Sequence, residues 1–335
     1  MSEAILLVSF GGPDQHDDVI PFLENVLRGK NVPRERMLEV AEHYYHFDGR
    51  SPINDQNRDL IAALQALLER DGPALPVYWG NRNWHPLLAD TLRRMQEDGV
   101  TRAYCFVTSA YSSYSGCRQY RENLIQAQAE TGGPEIEFLK LRVFYNHPGF
   151  IEPMIDLTRV ALEDVPADRR EKARLLFTAH SIPLSMASGS KYVAQLEEAC
   201  RLVAAGLQRP YELVYQSRSG PPGQPWLEPD ILARIEELAA SGVQDVVCVP
   251  IGFISDHMEV LYDLDTEARS KCESLGVHFV RVPTVGTDPR FVAMIRELVE
   301  ERRNPDVPKR ALGDRGPSHD VCPLDCCPAP VRPGR

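Results

Sequence analysis

The chain of 335 residues has little of what marks membrane, secreted or nucleic-acid-binding proteins. No run of about 18 apolar residues occurs, so we expect no transmembrane helix and no stable membrane insertion. The amino-terminal segment lacks a basic region and a small-residue cleavage site, so we expect no signal peptide and a cytoplasmic protein. Basic residues number 37 against 48 acidic ones, a net charge of −11, and this shortage of positive charge argues against a nucleic-acid partner.

Cysteine is too sparse for a disulfide scaffold, with eight residues in the whole chain. Cys105 and Cys248 lie inside apolar runs, where a buried and unreactive thiol is expected. Cys322, Cys326 and Cys327 instead cluster near the carboxyl terminus. In a cytosolic chain such a cluster indicates metal or redox chemistry.

Short apolar runs alternate with helical patterns along most of the chain. The expected strands are Ala4–Ser9, Val77–Gly80, Arg102–Val107, Glu137–Val143, Ala173–Ala179, Glu212–Gln216, Asp245–Pro250 and His278–Val282. Strands that alternate with helices imply parallel sheets covered on both faces. We therefore expect an α/β fold with two doubly wound, Rossmann-like domains at residues 1–150 and 151–303. Residues 304–335, rich in proline and cysteine, cannot build a core alone, and the cysteines suggest what fastens this tail.

Ligands of doubly wound folds bind beyond the carboxyl ends of the strands. Phe10-Gly11-Gly12-Pro13 follows the first strand; it is not a G-x-G-x-x-G sequence and indicates only a tight turn. His180 follows the fifth strand, and neutral imidazole is the usual side chain for moving a proton near pH 7. From position alone, a structural histidine bonded to a neighbouring carbonyl is about equally expected.

Three carboxylates recur at every fourth residue, Glu259, Asp263 and Glu267. They lie in the segment Met258–Leu275, which we expect to form one α-helix, and would stack along one face of it. Such a row is often a solvated face, although like charges at this spacing destabilise a helix by ~0.2–0.5 kcal/mol per pair. Because the row begins just beyond a strand end, a second interpretation is that its oxygen ligands handle a divalent cation.

Several longer segments resemble the ferrochelatase family, whose members insert Fe(II) into a porphyrin. FTAHSIP at Phe177–Pro183 resembles the family's histidine motif, and PIGFISDHMEVLYDLD at Pro250–Asp265 resembles its glutamate motif. QSRSGPPGQPWLEPD at Gln216–Asp230 resembles the loop between them. LLVSFGGP, VAEHYYHFDGRSPIN and GNRNWHP resemble the amino-terminal half. The similarity covers roughly residues 4–300 and is greatest to the actinobacterial type of coproporphyrin III ferrochelatase.

The resemblance implies a lyase that inserts Fe(II), its substrate metal, into coproporphyrin III during haem biosynthesis. It implies that His180 takes the pyrrole protons, that Glu259 lies beside it and that both face the iron. Asp263 and Glu267 would extend a path for protons or hydrated metal. The resemblance also implies porphyrin contacts: ring packing by Phe10, propionate contacts by Arg28, Ser51 and Tyr120, a donor in place of a related arginine at His43, and cavity lining by Trp226.

The tail cysteines resemble those with which some ferrochelatases bind an iron–sulfur cluster. The resemblance implies a [2Fe–2S] cluster, structural in role, held by Cys117, Cys322, Cys326 and Cys327, with His319 as a reserve ligand. A zinc site, a vicinal disulfide between Cys326 and Cys327, or a disordered tail would also be compatible with the sequence.

Three other functions compete with this interpretation. A protoporphyrin IX ferrochelatase would make protohaem directly, but the sequence shows no apolar membrane-binding lip for that poorly soluble substrate. A cobalt chelatase acting on a corrinoid precursor is a more distant alternative. A non-catalytic tetrapyrrole or metal binding protein would lack a general base, whereas His180 and Glu259 are both present. We expect a monomer that contacts neighbouring haem-pathway enzymes only transiently.

Overall fold

The computed structural model describes residues 2–30, 32–220 and 223–329. Its contacts divide the chain into two compact units. Unit 1 comprises Met1–Thr108, Gln119–Leu141 and Ile295–Val307, and unit 2 comprises Ser109–Arg118, Arg142–Met294 and Pro308–Arg335. This division differs from the sequence-based domains, because it changes unit at Leu141 and returns the end of the last helix to unit 1.

Unit 1 is built on a parallel sheet of four strands in the order β2-β1-β3-β4. The strands are β1 (Ser2–Ser9), β2 (Val77–Asn81), β3 (Val100–Val107) and β4 (Glu137–Lys140). The helices are α1 (Val19–Leu27), α2 (Arg34–Tyr45), α3 (Ile53–Asp71), α4 (Leu88–Glu97) and α5 (Gln119–Thr131), with a 3₁₀ turn at His16–Asp18. Val8, Leu92 and Leu124 are among the buried side chains that pack α4 and α5 onto the sheet. Burial of this apolar face is the main stabilising contribution here.

Unit 2 repeats the same topology, with a parallel sheet in the order β6-β5-β7-β8. The strands are β5 (Arg174–His180), β6 (Tyr211–Gln216), β7 (Asp245–Val249) and β8 (His278–Arg281). The helices are α6 (Pro148–Glu163), α7 (Leu184–Ser188), α8 (Tyr192–Leu207), α9 (Ile231–Ala240), α10 (Met258–Val260), α11 (Arg269–Ser274) and α12 (Pro289–Arg303), the last shared with unit 1. A 3₁₀ turn lies at Arg170–Lys172, and π-helical segments lie at Tyr114–Arg118 and Leu261–Ala268. None of the described helices combines the length and apolarity needed to cross a bilayer.

The α/β fold with parallel sheets is confirmed, and each predicted strand is present. The largest difference is in β4, which ends at Lys140 rather than Val143. The single α-helix predicted over Met258–Leu275 is wrong. The chain forms α10, then a π-helix over Leu261–Ala268, then α11. A π-helix has i→i+5 hydrogen bonds and is frequent at functional sites.

The tail has no helix or strand beyond α12 in its described part, yet hydrogen bonds to the segment before α6 hold it in unit 2. Arg142 Nη2 donates to the Arg310 carbonyl at 2.8 Å. Asn146 Nδ2 donates to the Gly316 carbonyl at 2.9 Å, and the Leu312 N–H donates to the Asn146 carbonyl at 2.8 Å. The expectation that the cysteines fasten the tail is therefore incomplete, because residues 310–316 are held without them.

Candidate active site and cysteine cluster

The candidate base, His180, is the last residue of β5, where a parallel sheet presents its ligand-binding edge. Its Nδ1 lies 2.5 Å from the Ser181 carbonyl, so Nδ1 is the protonated nitrogen and donates to that oxygen. This leaves Nε2 facing Glu259, whose Oε1 is 3.6 Å away. The Tyr192 hydroxyl donates to the His180 carbonyl at 2.9 Å and fixes the backbone. The carbonyl contact expected of a structural histidine is thus present, and it leaves Nε2 available to a carboxylate.

His180 and Glu259 form an ion pair that remains accessible, with side chains 32% and 47% exposed.

 Neighbouring protein partly desolvates both groups, which disfavours their charged forms, but their mutual attraction is stronger. The negative charges of Glu259 and Asp263 and the hydrogen bond to Ser181 therefore raise the pKa of His180 above its usual range. The positive charge of His180 and its hydrogen bond to the carboxylate lower the pKa of Glu259 in the same way. These shifts favour an imidazolium beside a carboxylate at neutral pH.

Asp263 lies next in the carboxylate row and is anchored to the end of β6. The Ser217 hydroxyl donates to Asp263 Oδ2, and Gln216 Nε2 lies 3.3 Å from the same oxygen. Gln216 Nε2 also donates to the Glu259 carbonyl at 2.9 Å, so one amide links both acidic residues. Burial, opposed by the Ser217 hydrogen bond and reinforced by the charges of Glu259 and Glu267, raises the pKa of Asp263 to about 7. This carboxyl can gain or lose a proton at neutral pH.

Glu267 is the outermost member of the row and is exposed. Partial desolvation of its carboxyl and the nearby charge of Asp230 raise the pKa of Glu267. The three carboxylates thus run from Glu259, which pairs with His180, through Asp263 to Glu267, and both end members are exposed. The electrostatic coupling of Asp263 to both of the others supports the predicted row, although the helix that carries it is largely π-helical.

Sequence reasoning missed His257, two residues before Glu259. Its Nδ1 accepts the Glu259 backbone N–H at 3.2 Å and so caps α10. Its ring packs edge-on against Phe253, with the centroids 5.0 Å apart. Burial and the charge of His180 lower the pKa of His257, which favours the neutral ring. The histidine in the segment SDHME was the available indication.

Trp226 lies in a segment that pairs with the residues just after His180. Residues 225–227 pair with residues 182–184, and the Leu227 N–H donates to the Ile182 carbonyl at 3.0 Å. The Trp226 side chain is buried, and its indole N–H has no acceptor among the described residues. This placement leaves the predicted contact with a porphyrin as a prediction.

In unit 1, the predicted porphyrin contacts Phe10 and Tyr120 both pack against a residue that sequence reasoning missed. The Arg82 guanidinium carbon lies 5.5 Å from the Phe10 ring centroid and 5.3 Å from that of Tyr120. Arg82 follows β2, at the carboxyl edge of the sheet, and stands in the segment GNRNWHP. A cation held between two aromatic faces can bind a carboxylate on its open side.

The other predicted porphyrin contacts of unit 1 have local surroundings. Arg28 is exposed, and its Nη2 donates to Asn25 Oδ1 at 2.5 Å. His43 is half-buried, and burial together with the charge of Arg36 lowers its pKa, so the charged donor form is disfavoured. Ser51 is 3% exposed, which leaves little of its hydroxyl accessible. These local contacts do not join the three side chains to one another.

A model of the ferrochelatase family matches residues 2–303 of this chain. The chain belongs to the ferrochelatase family. It is 57% identical to a ferrochelatase of Rhodopirellula baltica, over 97% of this chain and 93% of the relative. It is also 56% identical to the coproporphyrin III ferrochelatase of Frankia alni, over 98% of this chain and 87% of the relative. The enzyme of that name from Streptomyces coelicolor is 54% identical, over 98% and 93%.

Solved structures with little sequence identity share the chelatase fold. A multi-domain protein of Deinococcus radiodurans with structural similarity to chelatases superposes with a TM-score of 0.55 at 14% identity, covering 95% of this chain and 57% of its own. The sirohydrochlorin chelatase of Bacillus subtilis subspecies spizizenii, in complex with cobalt, gives 0.52 at 11% identity, covering 90% and 95%. At such low sequence identity, these superpositions show a shared fold and nothing about function.

The tail cysteines converge on one another within unit 2. Ligand atoms of His319, Cys322 and Cys326 all lie within 4.8 Å of one another. The Sγ atoms of Cys326 and Cys327 are 3.6 Å apart, and no disulfide joins any of the eight cysteines. Arg118, the neighbour of buried Cys117, points its Nη1 at the Cys326 carbonyl at 3.5 Å. A soft-ligand metal site in the tail fits this donor set.

Proposed function

We propose that this protein inserts Fe(II) into coproporphyrin III, releasing two protons and forming Fe-coproporphyrin for haem biosynthesis. The observation that carries the proposal is the pair of His180 Nε2 and Glu259 Oε1, 3.6 Å apart at the end of β5. A base and a carboxylate at one accessible point suit a reaction in which a metal ion replaces protons. Relatives that are 46–56% identical carry the name coproporphyrin III ferrochelatase.

His180 must lose the proton that it already carries before it can take a pyrrole proton. Because His180 is protonated beside Glu259 in the metal-free protein, its first proton has to leave. Asp263 is the nearest acceptor in the row with a pKa of about 7, so it can take a proton and give it up again at neutral pH. Glu267, exposed beyond it, completes the route to solvent.

The metal needs ligands that replace its hydration shell. Glu259 supplies a carboxylate oxygen and His180 an imidazole nitrogen, both suited to Fe(II). The row of carboxylates also raises the local concentration of cations around the site. Ordered anchors on this row, from Ser217 and Gln216, limit the rearrangement needed when the ion moves inward.

The choice of porphyrin rests on its carboxylates. Coproporphyrin carries a propionate on every pyrrole ring, whereas protoporphyrin carries them on only two. We propose that Arg28 and Arg82 bind propionates, since a guanidinium can hold a carboxylate by two hydrogen bonds. Ser51, Tyr120 and His43 would add single donors, and Phe10 and Trp226 would pack on the ring. A buried donor left without its partner costs roughly 1–3 kcal/mol of binding free energy, which would favour coproporphyrin III.

Turnover under anaerobic conditions tests the proposal. Purified protein is given Fe(II) with coproporphyrin III or with protoporphyrin IX in matched detergent, and the loss of free porphyrin is followed optically. We expect a higher specificity constant for coproporphyrin III. A higher constant for protoporphyrin IX would reassign the substrate, and binding of both without metallation would indicate a tetrapyrrole-binding protein.

We further propose that the tail binds a [2Fe–2S] cluster through Cys117, Cys322, Cys326 and Cys327. Such clusters are commonly held by four thiolates. The closeness of the tail thiols supports the carboxyl-terminal part of this ligand set, since the Sγ atoms of Cys322 and Cys326 lie within 4.8 Å of each other and those of Cys326 and Cys327 are 3.6 Å apart. The cluster would hold residues 319–327 and has no part in metal insertion, since Fe(II) enters the porphyrin without changing its oxidation state.

Metal and sulfide analysis of protein purified without oxygen tests the cluster. We expect about two irons and two sulfides per chain, with visible absorption that dithionite bleaches. Cys322→Ser should lose the colour and weaken hydrogen-exchange protection after residue 316, while the 310–316 segment keeps its hydrogen bonds. A colourless protein with one zinc would contradict the cluster and favour the group formed by His319, Cys322 and Cys326.

We also propose that the protein works as a monomer in the cytoplasm. Its acidic net charge of −11 supports repulsion between copies and from nucleic acid. Light scattering on purified protein and fractionation of the source cells test these two points. A stable dimer, or recovery with the membrane fraction after a high-salt wash, would contradict them.

A further inference from the structure

One guanidinium in unit 2 binds both flanks of the segment that carries Glu259 and Asp263. Arg281, at the end of β8, places Nη1 2.8 Å from Asp256 Oδ1. Its Nε and Nη2 bind the two oxygens of Asp265, each at 2.8 Å. The bidentate geometry makes the Asp265 contact both strong and directional.

The two carboxylates that Arg281 binds flank Glu259 and Asp263 in the sequence. Asp256 lies in the loop after β7, and Asp265 lies within the π-helix, so the residues between them include Glu259 and Asp263. The Arg281 side chain is 14% exposed, while those of Asp256 and Asp265 are 25% and 24% exposed. Because these charges are largely removed from water, solvent and salt screen them less than a surface pair.

Contacts on the other side of the segment hold it at a different point. Gln216 and Ser217, from the end of β6, bind Asp263 and the Glu259 carbonyl. Without Arg281, Asp256 and Asp265 would keep their charges and lose the cation that joins them, and Asp265 would be left with its longer contact to Arg269 Nη2, at 3.4 Å. The segment could then turn about the Asp263 anchor and move the Glu259 carboxylate away from His180.

We propose that Arg281 is a positioning residue for metal insertion, which sets the Glu259 carboxylate against His180 by binding Asp256 and Asp265 at once. The inference rests on the proposed function and assigns a further residue to it. If the inference is right, loss of Arg281 impairs the binding and insertion of the metal rather than the binding of the porphyrin. The contacts of Arg281 are with the acidic segment and with the adjacent Val282 carbonyl.

Arg281→Gln tests the proposal, with Arg234→Gln as a matched control. Arg234 also bridges two carboxylates in unit 2, Glu212 and Glu237, both at 2.6 Å, and neither carboxylate belongs to the acidic segment. We expect Arg281→Gln to lower kcat by about tenfold and raise KM for Fe(II) by at least about fivefold, with KM for coproporphyrin III within about twofold. Arg281→Lys, which keeps one charged contact, should recover part of the loss.

The control separates positioning from stability. If Arg281→Gln and Arg234→Gln lower the melting temperature alike and leave all three kinetic constants near wild type, Arg281 is structural only and the inference is wrong. If Arg281→Gln does not fold, Asp265→Asn removes the bidentate arm alone and must show the same rise in KM for Fe(II). A wild-type protein that metallates no porphyrin would overturn the proposed function instead, before any variant is compared.

Discussion

The two sheets of this chain have the same strand order and very different chemistry at their carboxyl edges. In unit 2 the strand ends carry His180, Gln216 and Arg281, all bound to acidic residues or facing them. In unit 1 the ends of β1 and β3 lie in a network of hydroxyls and amides, in which the Ser9 hydroxyl meets Asn57 Nδ2 at 3.0 Å and Thr108 Oγ1 at 3.1 Å. A shared topology therefore determines where a site lies, whereas the side chains at the strand ends determine its chemistry.

The contrast in electrostatics explains the division of labour that we propose. Amides and hydroxyls hold a backbone edge in place, but they do not exchange protons at neutral pH. The coupled histidine and carboxylates of unit 2 have displaced pKa values, as is frequent at catalytic sites. Arg82, beside the rings of Phe10 and Tyr120, is the group of unit 1 that we propose to bind a propionate rather than to react.

The largest expected loss within the carboxylate row is at its inner end. Glu259→Gln should lower kcat by about 100-fold or more, because it removes both a metal ligand and the partner of His180. Asp263→Asn should lose less, and Glu267→Gln, at the exposed end, should lose least. Steady-state metallation of coproporphyrin III checks the series. Equal and small losses at all three positions would identify the row as a solvated face.

An intermediate effect is expected in unit 1. Arg82→Met should raise KM for coproporphyrin III by about tenfold and leave kcat within about threefold, since a propionate contact contributes to binding. Arg94→Met is the matched control, because Arg94 lies over the Tyr78 ring, 5.8 Å from its centroid, away from the strand end. A fall in kcat with unchanged KM would place Arg82 in the chemistry and erase the contrast between the units.

The smallest expected effect is on stability and depends on pH. The folded protein holds the pKa of Asp263 at about 7, above the unfolded value of about 3.8, so the folded state binds the extra proton between these pH values. Stability contributed by that proton is present below pH 4 and is lost as the pH rises through 7. Asp263→Asn lacks this dependence, so its advantage over wild type should grow by ~1–3 kcal/mol between pH 4 and pH 8. Urea unfolding at both pH values measures it, and an advantage that shrinks with pH would reverse the assigned shift.

Much of the fold could be predicted, because apolar runs and helical periodicity depend on neighbouring residues. β5 and β7 were placed to within one residue by that pattern. The π-helix could not be, since its register depends on Arg281 and Ser217, which are distant in sequence. The hold on residues 310–316 was missed for a similar reason, because main-chain carbonyls accept those bonds and leave no side-chain pattern.

The site was predicted where motifs carry reactive side chains and missed where the role is supportive. His180, Glu259 and Asp263 were found, and the structure brings them together. His257 and Arg82 stand in quoted segments, but nothing local distinguishes a helix-capping histidine or a ring-stacked arginine. Their positions depend on packing that sequence spacing does not describe.

The division between reactive and binding strand ends is tested most directly at His180. The measurement is a single-turnover reaction of His180→Ala with bound coproporphyrin III and Fe(II), with the porphyrin dissociation constant determined on the same protein. We predict that metal insertion is lost while the porphyrin dissociation constant stays within about tenfold of its wild-type value. Insertion at a near wild-type rate would contradict the role of His180, because the proton-accepting group would then lie elsewhere.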